Sequence, residues 1–174
     1  MTEQRLRRAS AVLLLLATGF AAWFGYGWYA AAHDQSAAFG QSRDRVLAAG
    51  EQAVQNLNTL DYRNVSSGLK VWLDSTTGDL HTQLTQGSST FTSQVQQAKS
   101  VTTASVLDGA VTQLDDRAGT ASVMVALRIT VQTGSGTPAV KESRMLGQLT
   151  RTSSGWKLSA LEQAPVGTAT TPAN

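Results

Sequence analysis

The chain has 174 residues, a formal net charge of +2 and no cysteine, which excludes disulfides, thiolate nucleophiles, Cys-ligated zinc and iron–sulfur clusters. Residues 1–32 hold three arginines and one glutamate, and the remainder balances 11 basic against 11 acidic side chains. With only four lysines in that neutral remainder, no basic stripe is available to neutralise phosphates, so a nucleic-acid partner is not expected.

Arg5, Arg7 and Arg8 open the chain, opposed only by Glu3. From Ser10 to Ala32 no residue carries a charge, and those 23 positions would rise about 34 Å as a helix, enough for a hydrocarbon core of roughly 30 Å. The arginines place the N-terminus on the cytoplasmic side by the positive-inside rule. Six of the 11 aromatics fall between Phe20 and Tyr29, so Trp23, Trp28 and Tyr29 read as part of an outer-leaflet belt. A cleaved signal peptide is the competing reading, with small residues at Ala30–Ala32. The run exceeds the usual apolar region of about 7–15 residues, which favours a retained anchor. The expected layout is a basic flank at 1–9, a transmembrane helix at 10–32 and a connecting helix at 33–60. An extracytoplasmic domain at 61–164 and a disordered tail at 165–174 complete it.

Beyond His33, Val46, Leu47, Ala49, Ala53, Val54 and Leu57 recur at near-helical spacing, predicting a helix from about Ser36 to Asn58. Gly40 and Gly50 are each expected to weaken it by about 1 kcal/mol relative to alanine. Val65, Leu69, Trp72 and Leu73 define a second, short helix. Gly78 interrupts the pattern, and Thr76-x-x-Asp79 reads as a capping box opening a third helix. Leu80, Leu84, Phe91, Val95 and Ala98 supply its buried side, with a kink or fraying expected at residues 86–89. After Ser100 the texture turns to β-branched alternation, with Gly109 expected at a bulge. Four strands follow, separated by turn signals at DDRAG, GSGTP and SSG. Helices first and antiparallel strands afterwards give an α+β class with helices packed on one face of a curved sheet.

Candidate chemistry is sparse. Leu73–Leu84, LDSTTGDLHTQL, gathers two aspartates, hydroxyls and a histidine, yet it lacks the alternating ligands and closing glutamate of a calcium loop. The only histidines are His33 and His81, too few for zinc without cysteine. The stretch is read as one helix ending and another starting, and no metal or cofactor is expected. Asp61–Tyr62 could form a proton-transfer pair if both were buried; an N-cap beside a core-edge tyrosine is the preferred alternative. No catalytic residues are therefore assigned. Tyr62, Trp72 and Phe91 are the expected lining of a pocket or interface.

Four features in order resemble the Mce-associated membrane proteins of actinobacteria, encoded beside Mce lipid-import systems. They are the arginine-flanked anchor, LNTLDY at the first helix end, WLDSTTGDL before the third helix, and ASVMVALRITV followed by RTSSGWKLSAL. The resemblance implies an NTF2-like (cystatin-like) cone similar to the periplasmic domain of VirB8. It also implies a non-catalytic accessory role in moving fatty acids or sterols across the cell envelope. The implied partners are the permease and Mce proteins, with membrane lipid around the anchor. A lipid or small-molecule ligand in the cone, and a VirB8-like secretion-channel role, stand as alternatives.

Overall fold

The computed structural model describes residues 17–31 and 35–165. The basic flank with Arg5, Arg7 and Arg8, the apolar residues 10–16, the junction at 32–34 and the tail from 166 onward lie outside the described residues. The chain divides into two units between Gln41 and Ser42. In the first, residues 17–31 are helical and exposed throughout. Among the described residues no helix is long and apolar enough to cross a membrane; the expected span at 10–32 extends past the described residues at both ends.

Helix α1 (Gln35–Leu57) crosses the unit boundary, and its residues from Ser42 belong to the second unit. A two-residue strand β1 (Leu60–Asp61), a 3-10 turn at Tyr62–Asn64, α2 (Val65–Asp74) and α3 (Gly78–Ala98) follow. Strands β2 (Ser100–Asp115), β3 (Thr120–Thr133), β4 (Ala139–Thr152) and β5 (Gly155–Gln163) complete the order. The sheet runs β1-β2-β3-β4-β5 with every neighbour antiparallel. The helices lie on one face of this curved sheet, giving the expected α+β class.

Alternation in β3 shows why. Ala121, Val123, Val125, Leu127 and Ile129 are buried, whereas Met124 and Arg128 on the opposite face are exposed, the period-two pattern of a sheet covered on one side. Val46 and Val54 from α1, Leu149 from β4 and Leu158 from β5 fill the same core. Gly50 is where α1 meets the sheet: a Cβ there would stand 2.8 Å from Val123 Cγ2. Its absence buries the helix more deeply, so this glycine aids packing beyond its cost in helix propensity. The switch from helix to sheet occurs at Lys99, which caps α3 in the left-handed region at φ 49°.

Three local expectations change. α3 runs unbroken through residues 86–89, its hydroxyls turned back onto the preceding carbonyls, as Ser88 Oγ donates to Thr85 O and Thr92 Oγ1 to Ser88 O. The helix is capped by Thr77 rather than Thr76, without a side-chain cap. Register shifts on β2 fall between Val106 and Asp108 and between Val111 and Gln113, one on each side of Gly109.

Candidate functional site

Trp72 and Phe91, expected together, are brought together. α2 presents Trp72 and α3 presents Phe91, with ring centroids 5.2 Å apart and planes tilted by 45°. Trp72 is 9% exposed, and its Nε1–H donates to Thr59 O at 3.2 Å, so the one polar atom of the buried indole is satisfied. The rings close a half-open hollow of about 240 Å³ whose other walls are Leu57, Leu60 and Val95, with Asn58, Ser100 and Thr102 also lining it. Val95 was legible from its place on the Phe91 stripe of α3. Ser100 and Thr102 were not, because no sequence signal ties the start of β2 to the end of α1.

Tyr62 does not join them. It lies in the 3-10 turn, where the Arg63 guanidinium sits 5.1 Å from its ring centre, and it is absent from the hollow's lining. The cause is Asp61: its carboxylate accepts the Arg63 N–H at 2.9 Å and pairs with the guanidinium at 3.2 Å, curling the chain so that Arg63 covers the tyrosine. Hydrogen bonding with Tyr62 first, and the Asp61 charge second, raise the Arg63 pKa above its ordinary value. Asp61 thus acts as a cap. Neither it nor Tyr62 faces the hollow, which leaves a proton-transfer pair without a substrate space there.

The Leu73–Leu84 stretch has a structural use. Thr76, 2% exposed, sends its hydroxyl back to Trp72 O at 2.9 Å, and His81 Nδ1–H donates to Leu73 O at 3.1 Å, so both satisfy the C-terminal carbonyls of α2. The backbone between the helices then pairs with β5: Leu158 N–H donates to Ser75 O at 3.0 Å and Thr77 N–H to Leu158 O at 2.8 Å. No three His, Cys, Asp or Glu side chains converge on a metal position among the described residues.

At the opposite end of the sheet Asp116, in the β2–β3 turn, gathers three elements. Its Oδ1 accepts Ser42 Oγ at 2.6 Å, from α1, and pairs with Arg151 of β4. The Arg151 guanidinium in turn covers the Trp156 ring at 4.8 Å from its centre. In the first unit Trp23 and Trp28 are 80% and 83% exposed and Tyr29 64%.

A family model described as "Uncharacterized protein Rv1363c/MT1408-like" matches residues 6–165. "Uncharacterized protein Rv1363c" of Mycobacterium tuberculosis is 27% identical over 163 residues, 92% of this chain. The chain spans 62% of that relative's length. Among solved structures, an IcmL-like type IV secretion system protein from Legionella pneumophila superposes with a TM-score of 0.58 at 14% identity, covering 74% of this chain and 96% of that one. VirB8 from Agrobacterium tumefaciens gives a TM-score of 0.53 at 9% identity, covering 70% and 92%. At such identities the likeness establishes the fold alone, one shared with these IcmL-like and VirB8 domains.

Proposed function

The chain belongs to the Rv1363c/MT1408-like family, and from that premise we propose that it is a single-pass, N-in envelope protein whose exported domain is a non-catalytic docking subunit of an Mce lipid-import complex. The observation that carries the reading is a closed interior. Leu127, Leu149, Leu158, Val46, Val54, Val123 and Val125 are each under 2% exposed, occupying the helix–sheet interior that a cargo would need. The hollow beside Trp72, at about 240 Å³, is smaller than the roughly 300–1,000 Å³ of ordinary ligand pockets, and a larger one of about 530 Å³ carries Glu142, Ser143, Arg144 and Gln163 in its walls, which weighs against a lipid-binding module. A domain filled by its own side chains contributes surface and position. Tethering it to the membrane raises its effective concentration toward a weak partner to about millimolar.

The membrane-anchored part of the proposal rests on the charge-free run from Ser10 to Ala32 behind three arginines, and on the exposed aromatics at 20–29, which a bilayer interface would cover. The choice of an Mce system as client rests on the four-feature resemblance. A VirB8-like channel role is the second reading, favoured by the likeness to the Legionella and Agrobacterium proteins.

Affinity purification of a chromosomally tagged chain from native membranes, paired with a deletion strain, tests the proposal. Co-purified permease and Mce proteins with reduced fatty-acid or sterol uptake in the deletion are expected. Secretion-channel subunits instead would select the second reading. Intact Mce assembly and unchanged uptake in the deletion would refute the first.

A further inference from the structure

Strand β2 contains the single Asp-Gly dipeptide of the sequence, Asp108–Gly109, and the sequence has no Asn-Gly. The pair follows directly on the first of the two register shifts of β2, between Val106 and Asp108, and is itself held in register against Ala126 and Val125 of β3. Beyond the two-residue β1, whose partners are Val101 and Thr102, no strand pairs with this side of β2 among the described residues. Asp108 is exposed. The Gly109 N–H donates to Asp108 Oδ1 at 2.8 Å, which brings the glycine nitrogen close to the carboxyl carbon that bears that oxygen. A Cβ on Gly109 would overlap Glu51 Oε1, with Glu51 Cδ at 3.1 Å. The Glu51 carboxylate therefore occupies space beside the Gly109 Cα that only a glycine leaves open.

We propose that Asp108–Gly109 is a self-modification site at which the native fold promotes aspartate-to-isoaspartate isomerisation, with Glu51 as the proton acceptor. With the Asp108 side chain in its carboxylic acid form, the acid proton taken from solvent water, the Gly109 nitrogen attacks Cγ as its own proton passes to the Glu51 carboxylate. The N–Cγ bond forms, the Cγ–OH bond breaks, and the hydroxyl leaves as water with the proton Glu51 returns. Water then adds at the former Asp108 main-chain carbonyl and cleaves its bond to nitrogen, leaving the chain running through Cβ and Cγ. The net change is an isomerisation and needs no oxidant, reductant or second substrate. Holding nucleophile and electrophile together removes the entropy a flexible chain must lose, and a positioned base adds to the rate. The product adds one methylene to the main chain of β2 at a point where, among the described residues, only β3 pairs with it.

The test is ageing of the full-length chain in lipid nanodiscs at neutral pH. Isoaspartate is measured by transfer of labelled methyl groups from S-adenosylmethionine with an isoaspartyl methyltransferase, and located by peptide mass spectrometry. Isoaspartate at 108 is expected to accumulate several-fold faster in the native chain than in the same chain unfolded in urea. Glu51→Gln, with an unchanged melting transition, is expected to slow it by roughly tenfold or more, the low end for a positioned general base. Asp108→Glu, whose longer side chain must close a larger ring, is expected to remove the signal. A native rate at or below the unfolded rate would overturn the proposal, as would an unaltered rate in Glu51→Gln or a signal that survives Asp108→Glu.

Discussion

Gly40, Gly50 and Gly147 have different neighbours, and their substitution should separate accordingly. A Cβ at Gly40 meets nothing within 4 Å, so Gly40→Ala is expected to add up to about 1 kcal/mol by helix propensity alone. At Gly147 a Cβ would lie 3.0 Å from Leu158 Cδ2 and 3.2 Å from Val123 Cγ2, both fully buried. Gly147→Ala should cost about 1–3 kcal/mol as overpacking. Gly50→Ala combines both effects, since its gain in propensity opposes a Cβ set 2.8 Å from a stiff valine methyl. Urea denaturation of the three variants checks the ordering, and equal effects at Gly40 and Gly147 would contradict the packing described. Sequence alone treats Gly40 and Gly50 alike because helix propensity is local, whereas the closeness of Val123 is set by a strand about seventy residues away.

At the scale of elements, the two edges of the sheet are managed differently. β5 is met by the turn between α2 and α3, which engages both the N–H and the C=O of Leu158 and so blunts an edge that could otherwise recruit another strand. The amide of Leu158 should therefore resist hydrogen exchange as a central strand does. Thr76→Val, which removes the hydroxyl bond to Trp72 O, should cost about 1–2 kcal/mol and speed exchange at Leu158 more than at Leu127. Exchange at Leu158 as fast as at an unpaired loop would contradict the pairing. The long helices and the four long strands were legible because side-chain periodicity marks buried faces. β1 and this edge pairing were not, since both are made of backbone atoms and leave no side-chain period to read. Thr76 was legible as polar and capping but was assigned to the wrong helix. Its hydroxyl reaches back to the carbonyls of α2, while Gly78, at φ 60°, lets α3 begin one residue later.

For the whole molecule, the division between Gln41 and Ser42 separates an exposed aromatic helix from a domain whose core lies wholly in its own unit. If the first unit sits at an outer bilayer interface as proposed, its two tryptophans and those of the domain will report different surroundings. Trp23 and Trp28 are two of the four tryptophans; Trp72 is buried against Phe91 and Trp156 is covered by Arg151. Brominated lipid in nanodiscs should quench roughly the fraction of emission due to Trp23 and Trp28, and Trp23→Phe with Trp28→Phe should abolish the quenching. Quenching that survives the double substitution would place the domain itself in the bilayer.

The Asp116 junction has a mechanical consequence. Ser42 marks the start of α1 within the domain, and its hydroxyl is held by a carboxylate that also grips Arg151 of β4. Force applied through the amino end of that helix reaches this latch before any core residue, because Val46 is the first buried side chain beyond it. While the latch holds, the load is shared by two hairpins and the helix must slide past the sheet in shear. Once it opens, α1 can peel away one turn at a time, so Asp116→Ala is expected to lower the force at which α1 detaches in single-molecule pulling from the amino end.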